Sequence, residues 1–242
     1  MSTRTLPSLA GVADRAGLDW LDETCSRAAH DPGVVVTAFA AAGRRVGRGP
    51  AEPAAAVGNP HAWTVDDVAR AQLLLAVGSG DGLVDLLQLL YARGDAAERR
   101  GVLRALDVLP LRDEALPIVR DALRTNDARL VASALGPYAR AHLAQPEFEQ
   151  AVLKCLFIGV PLDSEHLPAR RRTENLARMV AELVRERVAA GRDVPSDVWL
   201  VLDEHPGALV RAGLPDELRS PVHARRGAAE RALAGHEHLL ER

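Results

Sequence analysis

The sequence predicts an all-α protein of stacked antiparallel helical hairpins, a degenerate HEAT-like arrangement. Three observations predict it. Apolar residues recur at helical spacing over most of the chain, and no stretch sustains the period-2 alternation of a strand between turn signals. The periodic segments are also short, about 10–20 residues, and joined by tight turns. No motif recurs at a fixed period, so any repeat is structural only.

The elements follow in order. Residues 1–43 read as an N-terminal helical segment packing on the main domain; they include the run "GVVVTAFAAAG". Residues 44–63, "RRVGRGPAEPAAAVGNPHAW", are rich in Gly, Pro and Ala without clear periodicity. A loop of that length is functional or a linker; here it either joins the N-terminal helices to the main stack or folds over a groove as a lid. A helical-stack domain spans 64–205. Thr64 with Asp67 in "TVDDVARAQLLLA" makes a cap-like start. Leu83, Leu86, Leu87 and Leu90 fall on one helix face, as do Val102, Leu103 and Leu106. Leu116, Val119, Ala122 and Leu123 continue the pattern, with Pro117 suited to a first turn. "TND" caps the next helix, with Asn126 as the capping residue. Pro146 and Gly159 bracket a helix over 146–158, and Leu176, Met179, Val180, Leu183, Val184 and Val188 mark another. The remainder, 206–242, is a helical extension ending in a solvent-facing helix.

Composition excludes several function classes. Net charge is -3 and pI about 6.2, so no basic field recruits nucleic acid or anionic lipid. Aromatics are 3%, too few for base-stacking platforms. The longest apolar stretch falls well short of the roughly 20 residues that span a bilayer. With no secretory pattern at the N-terminus, the expectation is a cytoplasmic protein that is not membrane-embedded and binds no nucleic acid. Cys25 and Cys155 lack a CxxC partner and read as free, buried thiols.

Lys154 is the sole lysine among 30 basic residues, and it lies in the apolar run "AVLKCLFIGVPL". At about 100° per residue, Glu147, Gln150 and Lys154 form a narrow polar stripe on an otherwise apolar helix. Two readings stand. The stripe is a solvated seam from which Lys154 snorkels, or it lines a groove where Lys154 holds an anionic or carbonyl group. Tyr138 and His142, at i, i+4, share a face and read as a surface pair with a catalytic alternative. The arginines of "PARRRTENLARM", Arg172 among them, form a solvated face or a phosphate clamp. His236 and His238 fall on different sides of a helix and make a poor metal site. There is no dinucleotide fingerprint, Walker loop, HExxH or GxSxG, so no catalytic residue, cofactor or metal is assigned.

Taken in sequence, "VVTAFAAAGRRVGRGP", "WTVDDVARAQLLLA", "LYARGDAAERRGVLRALDVLP", "RTNDARLVASALGPYARAHL", "FEQAVLKCLFIGVPLD" and "ERVAAGRDVPSDVW" resemble the EboA family over roughly residues 34–200. The most specific piece is the Phe-polar-Gln-x-Val-Leu-Lys-x-x-Phe run, carried here by Phe148, Gln150, Val152, Leu153, Lys154 and Phe157. Glu149 stands where the family has asparagine and "TENLARM" departs from its spacing, so no role carries over to Glu149 or Asn175. The resemblance implies bacterial gene clusters of secondary metabolism, a role in metabolite traffic, and a membrane prenyltransferase-like protein among the pathway partners. The expected function is therefore a non-catalytic accessory protein that binds or hands on a small precursor, or docks pathway proteins. The candidate ligand residues are Lys154, Gln150, Tyr138, His142 and Arg172. The alternatives are an enzyme acting on a small anionic or isoprenoid-like metabolite with Lys154 as its central polar group, and a pure interaction scaffold.

Overall fold

The computed structural model describes residues 5–55, 58–80 and 82–240. Among them the chain forms fourteen α-helices and no strand, and it divides into two compact units, 1–144 and 145–242. The all-α prediction holds.

The first unit contains α1 (Arg15–Ala28), α2 (Val34–Arg45), α3 (Val65–Val77), α4 (Leu83–Arg93), α5 (Ala96–Ala105), α6 (Leu116–Arg124), α7 (Ala128–Ala134) and α8 (Pro137–His142). Local chemistry sets where they begin. Asp14 Oδ1 accepts from Gly17 N at 2.7 Å and caps α1. Thr64 and Asp67 form the expected capping box on α3, Asp67 Oδ2 accepting from Thr64 N at 3.2 Å. Asp95 and Glu98 form a second box on α5. The α7 cap is Asp127, whose carboxylate accepts from Arg129 N at 2.9 Å, rather than Asn126. Asp127 is the residue directly before the helix, where a side-chain oxygen reaches the second helical N–H.

Alternate helices pack side by side: α3 lies against α1 and α5, and α5 against α7. α2 covers α1 and α3, α4 packs on α5, and α6 on α7 and α8. Central α3 buries Val65, Val68, Ala69, Ala71, Leu73 and Leu74 at no more than 2% exposure. Each large apolar side chain removed from water there contributes about 1.5–3 kcal/mol. The Gly/Pro/Ala-rich loop closes at its base. Val65 N donates to Gly49 O at 2.8 Å and Ala51 N to Trp63 O at 2.9 Å, beside a Pro50–Thr64 bridge.

The second unit is organised around α10 (Glu174–Ala189), whose Leu176, Ala177, Val180, Ala181, Val184 and Val188 are fully buried. Packed on it are α9 (Gln145–Ile158), α11 (Trp199–Leu202), α12 (Gly207–Arg211), α13 (Leu214–Glu217) and α14 (His223–Leu233). Gly159, at φ +76°, ends α9 in the left-handed conformation that favours glycine. The last helix faces solvent along His223, Ala224, Glu230 and Arg231 but turns a narrow face inward. α14 buries Ala228, Ala229 and Leu233, because its alanines let it approach α10 closely.

Candidate functional site

The predicted site residues fall into both units. In the first, Tyr138 and His142 do share a face of α8, their ring centroids 4.8 Å apart. The pair is not superficial, however: Tyr138 is 5% exposed, and its hydroxyl accepts from Ala115 N at 3.1 Å. Burial pushes the phenol up to about 12, so it remains neutral. In the second unit Gln150 is exposed and Lys154 half-buried on α9, with Phe157 beside them 65% exposed. Arg172 donates from Nε to Leu167 O at 2.8 Å and from Nη1 to Glu204 Oε1 at 2.6 Å. These bonds fasten the turn ahead of α10 to the segment after α11. Lys154→Ala is expected to change unfolding free energy by only about 0.5 kcal/mol, read from the urea midpoint. A loss several times larger would place the ammonium in a buried polar contact.

The polar centre of the second unit is Glu149, 3% exposed on α9. Its Oε1 accepts from Gln145 Nε2 at 3.0 Å and Thr173 Oγ1 at 2.5 Å, and its Oε2 accepts from Asn175 Nδ2 at 2.6 Å. Arg171 lies over the Phe148 ring at 4.5 Å and donates to Gln145 Oε1 at 2.9 Å. Burial works to raise the Glu149 pKa, but the Thr173, Gln145 and Asn175 donors and the Arg171 charge outweigh it and hold the carboxyl below its usual range. The cluster joins α9 to the α10 N-terminus, where Thr173 is also the cap.

The first unit carries a larger buried charge network. Asp66, Asp67 and Arg70 of α3 are each no more than 2% exposed. Arg70 donates to Asp66 Oδ2 at 2.5 Å and to Phe39 O at 3.1 Å. Arg100 of α5 donates to both Asp67 oxygens at 3.0 Å and to Thr64 Oγ1 at 2.9 Å. Arg104, one turn on, donates to Pro60 O at 3.0 Å and so ties the long loop to α5. These groups bond one another and the adjoining backbone, and so set how α3, α5 and the loop pack.

A groove does open in the first unit, among α4, α5 and α6. It holds about 290 Å³ and is lined by Gln88, Tyr91, Ala92, Arg99, Pro117, Ile118 and Asp121. That is the small end of ligand-pocket volumes, which run from about 300 Å³ upward. The walls are mostly apolar, with one polar corner. Tyr91 Oη donates to Asp121 Oδ2 at 3.1 Å, and the Arg99 guanidinium stands 5.5 Å above the Tyr91 ring. Burial and then the Asp121 hydrogen bond push the Tyr91 phenol up to about 12, so it stays a neutral donor. With no activated nucleophile, this corner can orient a bound molecule by hydrogen bonds and charge. Tyr91 and Asp121 come from different helices 30 residues apart, and helical spacing gave no sign that they meet.

Among the described residues no group of His, Cys, Asp and Glu could hold a metal ion, and no helix is long and apolar enough to cross a membrane. Fold and groove define an all-α protein with a cleft of small-molecule size. A family model described as metabolite traffic protein EboA matches residues 8–203, and the chain belongs to the EboA family. No curated protein and no solved structure matches it.

Proposed function

We propose that this chain is a non-catalytic accessory protein of metabolite traffic, seating a small precursor in the groove between α4 and α6 and handing it to pathway partners. The family's metabolite-traffic description supports the role. The observation that carries the site is the combination of apolar walls with the neutral Tyr91 donor and the Asp121 and Arg99 charges at one corner. In this reading the protein works in the cytoplasm of a bacterium, within secondary metabolism, and delivers its cargo towards a membrane prenyltransferase-like partner. A second reading, an enzyme with Lys154 as central polar group, draws on the half-burial of the chain's sole lysine.

Native mass spectrometry of the protein, purified from a host carrying its gene neighbourhood, separates them. The expected result is a small-molecule adduct that is lost on denaturation and absent from Ala92→Trp. Ala92 is exposed on the groove wall, so the indole fills the groove without disturbing the core. Lys154→Ala keeps the adduct. An adduct kept by Ala92→Trp and lost from Lys154→Ala would overturn the groove in favour of the lysine. Bare protein would overturn both.

A further inference from the structure

A second cleft, about 220 Å³, lies between α1 and α2. Arg45, the last residue of α2, stands 6.0 Å from the Trp20 ring centroid near the start of α1, so the two helices run antiparallel. Arg27, seven residues after Trp20 and so about 10 Å further along α1, lines the other end. Both arginines occupy the last turns of their helices, where a cation suits the carbonyl dipole. That accounts for one charge on each helix. It does not account for two guanidinium groups lining one cleft that no carboxylate lines. Neither guanidinium has an ion-pair or hydrogen-bond partner among the described residues. In the α4–α6 groove, by contrast, Arg99 Nε donates to Gly94 O at 3.1 Å.

The floor between the two charges carries no anion. The buried Thr24 donates its hydroxyl to Trp20 O at 2.6 Å, and Thr37 donates to Val34 O at 3.2 Å. What remains is the Trp20 ring with Val34, Ala38 and Ala41. An apolar, partly aromatic floor flanked by two exposed guanidinium groups is complementary to a molecule with a flat apolar body and an anionic end. We infer that the α1–α2 cleft is a binding site for a small organic anion, a phosphate ester or a carboxylate, whose body lies on Trp20. The site is separate from the α4–α6 groove and does not depend on it.

The test is a titration followed by the Trp20 indole N–H resonance, assigned with Trp20→Phe. Phenyl phosphate and benzoate are the probes, with inorganic phosphate and phenol as controls. The expected result is a saturable shift with phenyl phosphate or benzoate below about 10 mM, the tighter of the two identifying the anion. Inorganic phosphate binds more weakly and phenol does not bind. Arg27→Gln or Arg45→Gln, both at exposed positions, weakens binding by about tenfold or more, the sensitive arginine marking the end of the cleft that holds the anion, while Ala92→Trp leaves it unchanged. No saturable shift, or affinity unaltered in both arginine variants, would overturn the site. Inorganic phosphate binding as tightly as phenyl phosphate would overturn the role of Trp20. Loss of binding in Ala92→Trp would move the anion to the other groove and overturn the assignment.

Discussion

Arg70→Met is expected to remove about 3–5 kcal/mol from the stability of the first unit, a large share of the 5–15 kcal/mol typical of a folded domain. The side chain is 2% exposed, and its guanidinium neutralises the equally buried Asp66. Methionine fills the same apolar volume, so little packing is lost. What remains is a carboxylate out of water with Thr64 Oγ1 as donor and Arg100 3.8 Å away, while Phe39 O and Ala97 O each lose a donor. Gly101 of α5 reports on the same contact, because a Cβ there would lie 2.5 Å from Arg70 Cδ. Gly101→Ala therefore pushes on the arginine from the facing helix and should lower the midpoint in the same direction by a smaller amount. Urea unfolding measures both. A loss under about 1 kcal/mol for Arg70→Met would show that Arg100 alone compensates the two aspartates.

In the second unit Glu149→Gln should cost about 2–4 kcal/mol at neutral pH, and the cost should fade in acid. The amide keeps the shape of the carboxylate but sets its one NH₂ against donors that require an acceptor, either Asn175 Nδ2 or the pair Thr173 Oγ1 and Gln145 Nε2. The sign of the pH dependence follows from the lowered Glu149 pKa. Between the folded value and the unfolded value of about 4.3 the unfolded chain binds the extra proton. The contribution is therefore complete above the unfolded value and is lost as pH falls through the folded one. Glu217, held low by its hydrogen bonds from Arg225, behaves the same way. The wild type and Glu149→Gln should thus begin to converge in stability once pH falls below the unfolded value of about 4.3. A gap that persisted unchanged into acid would mean that Glu149 packs in its neutral form.

Helices were legible because burial in a helical stack repeats every three to four residues, and the α9 limits and the Thr64 box were read from end chemistry alone. Glu149 is legible too. On a wheel drawn at 100° per residue it falls between Leu153 and Leu156, inside the apolar arc rather than on the Gln150–Lys154 stripe. A single carboxylate there could only be buried and satisfied. Arg70, one turn after Asp66 on the same face of an otherwise largely apolar helix, carried a similar signal. The partners of these groups were not legible. That Thr173 reaches Glu149 and Arg100 reaches Asp67 depends on which helices lie side by side, and periodicity reports only that a face is covered. The same limit hid both clefts, each built from side chains of separate helices.

The family signature ends at residue 203, yet α10 packs against α12, α13 and α14, all beyond it. Val184 and Val188, at 0% exposure, belong to the α10 core that the later helices help to cover. Excising the chain at the edge of its recognisable kinship would therefore strip apolar surface bare in the half that carries Lys154 and Glu149. Inheritance and self-sufficiency have different borders in this protein, and an expression fragment should follow the second.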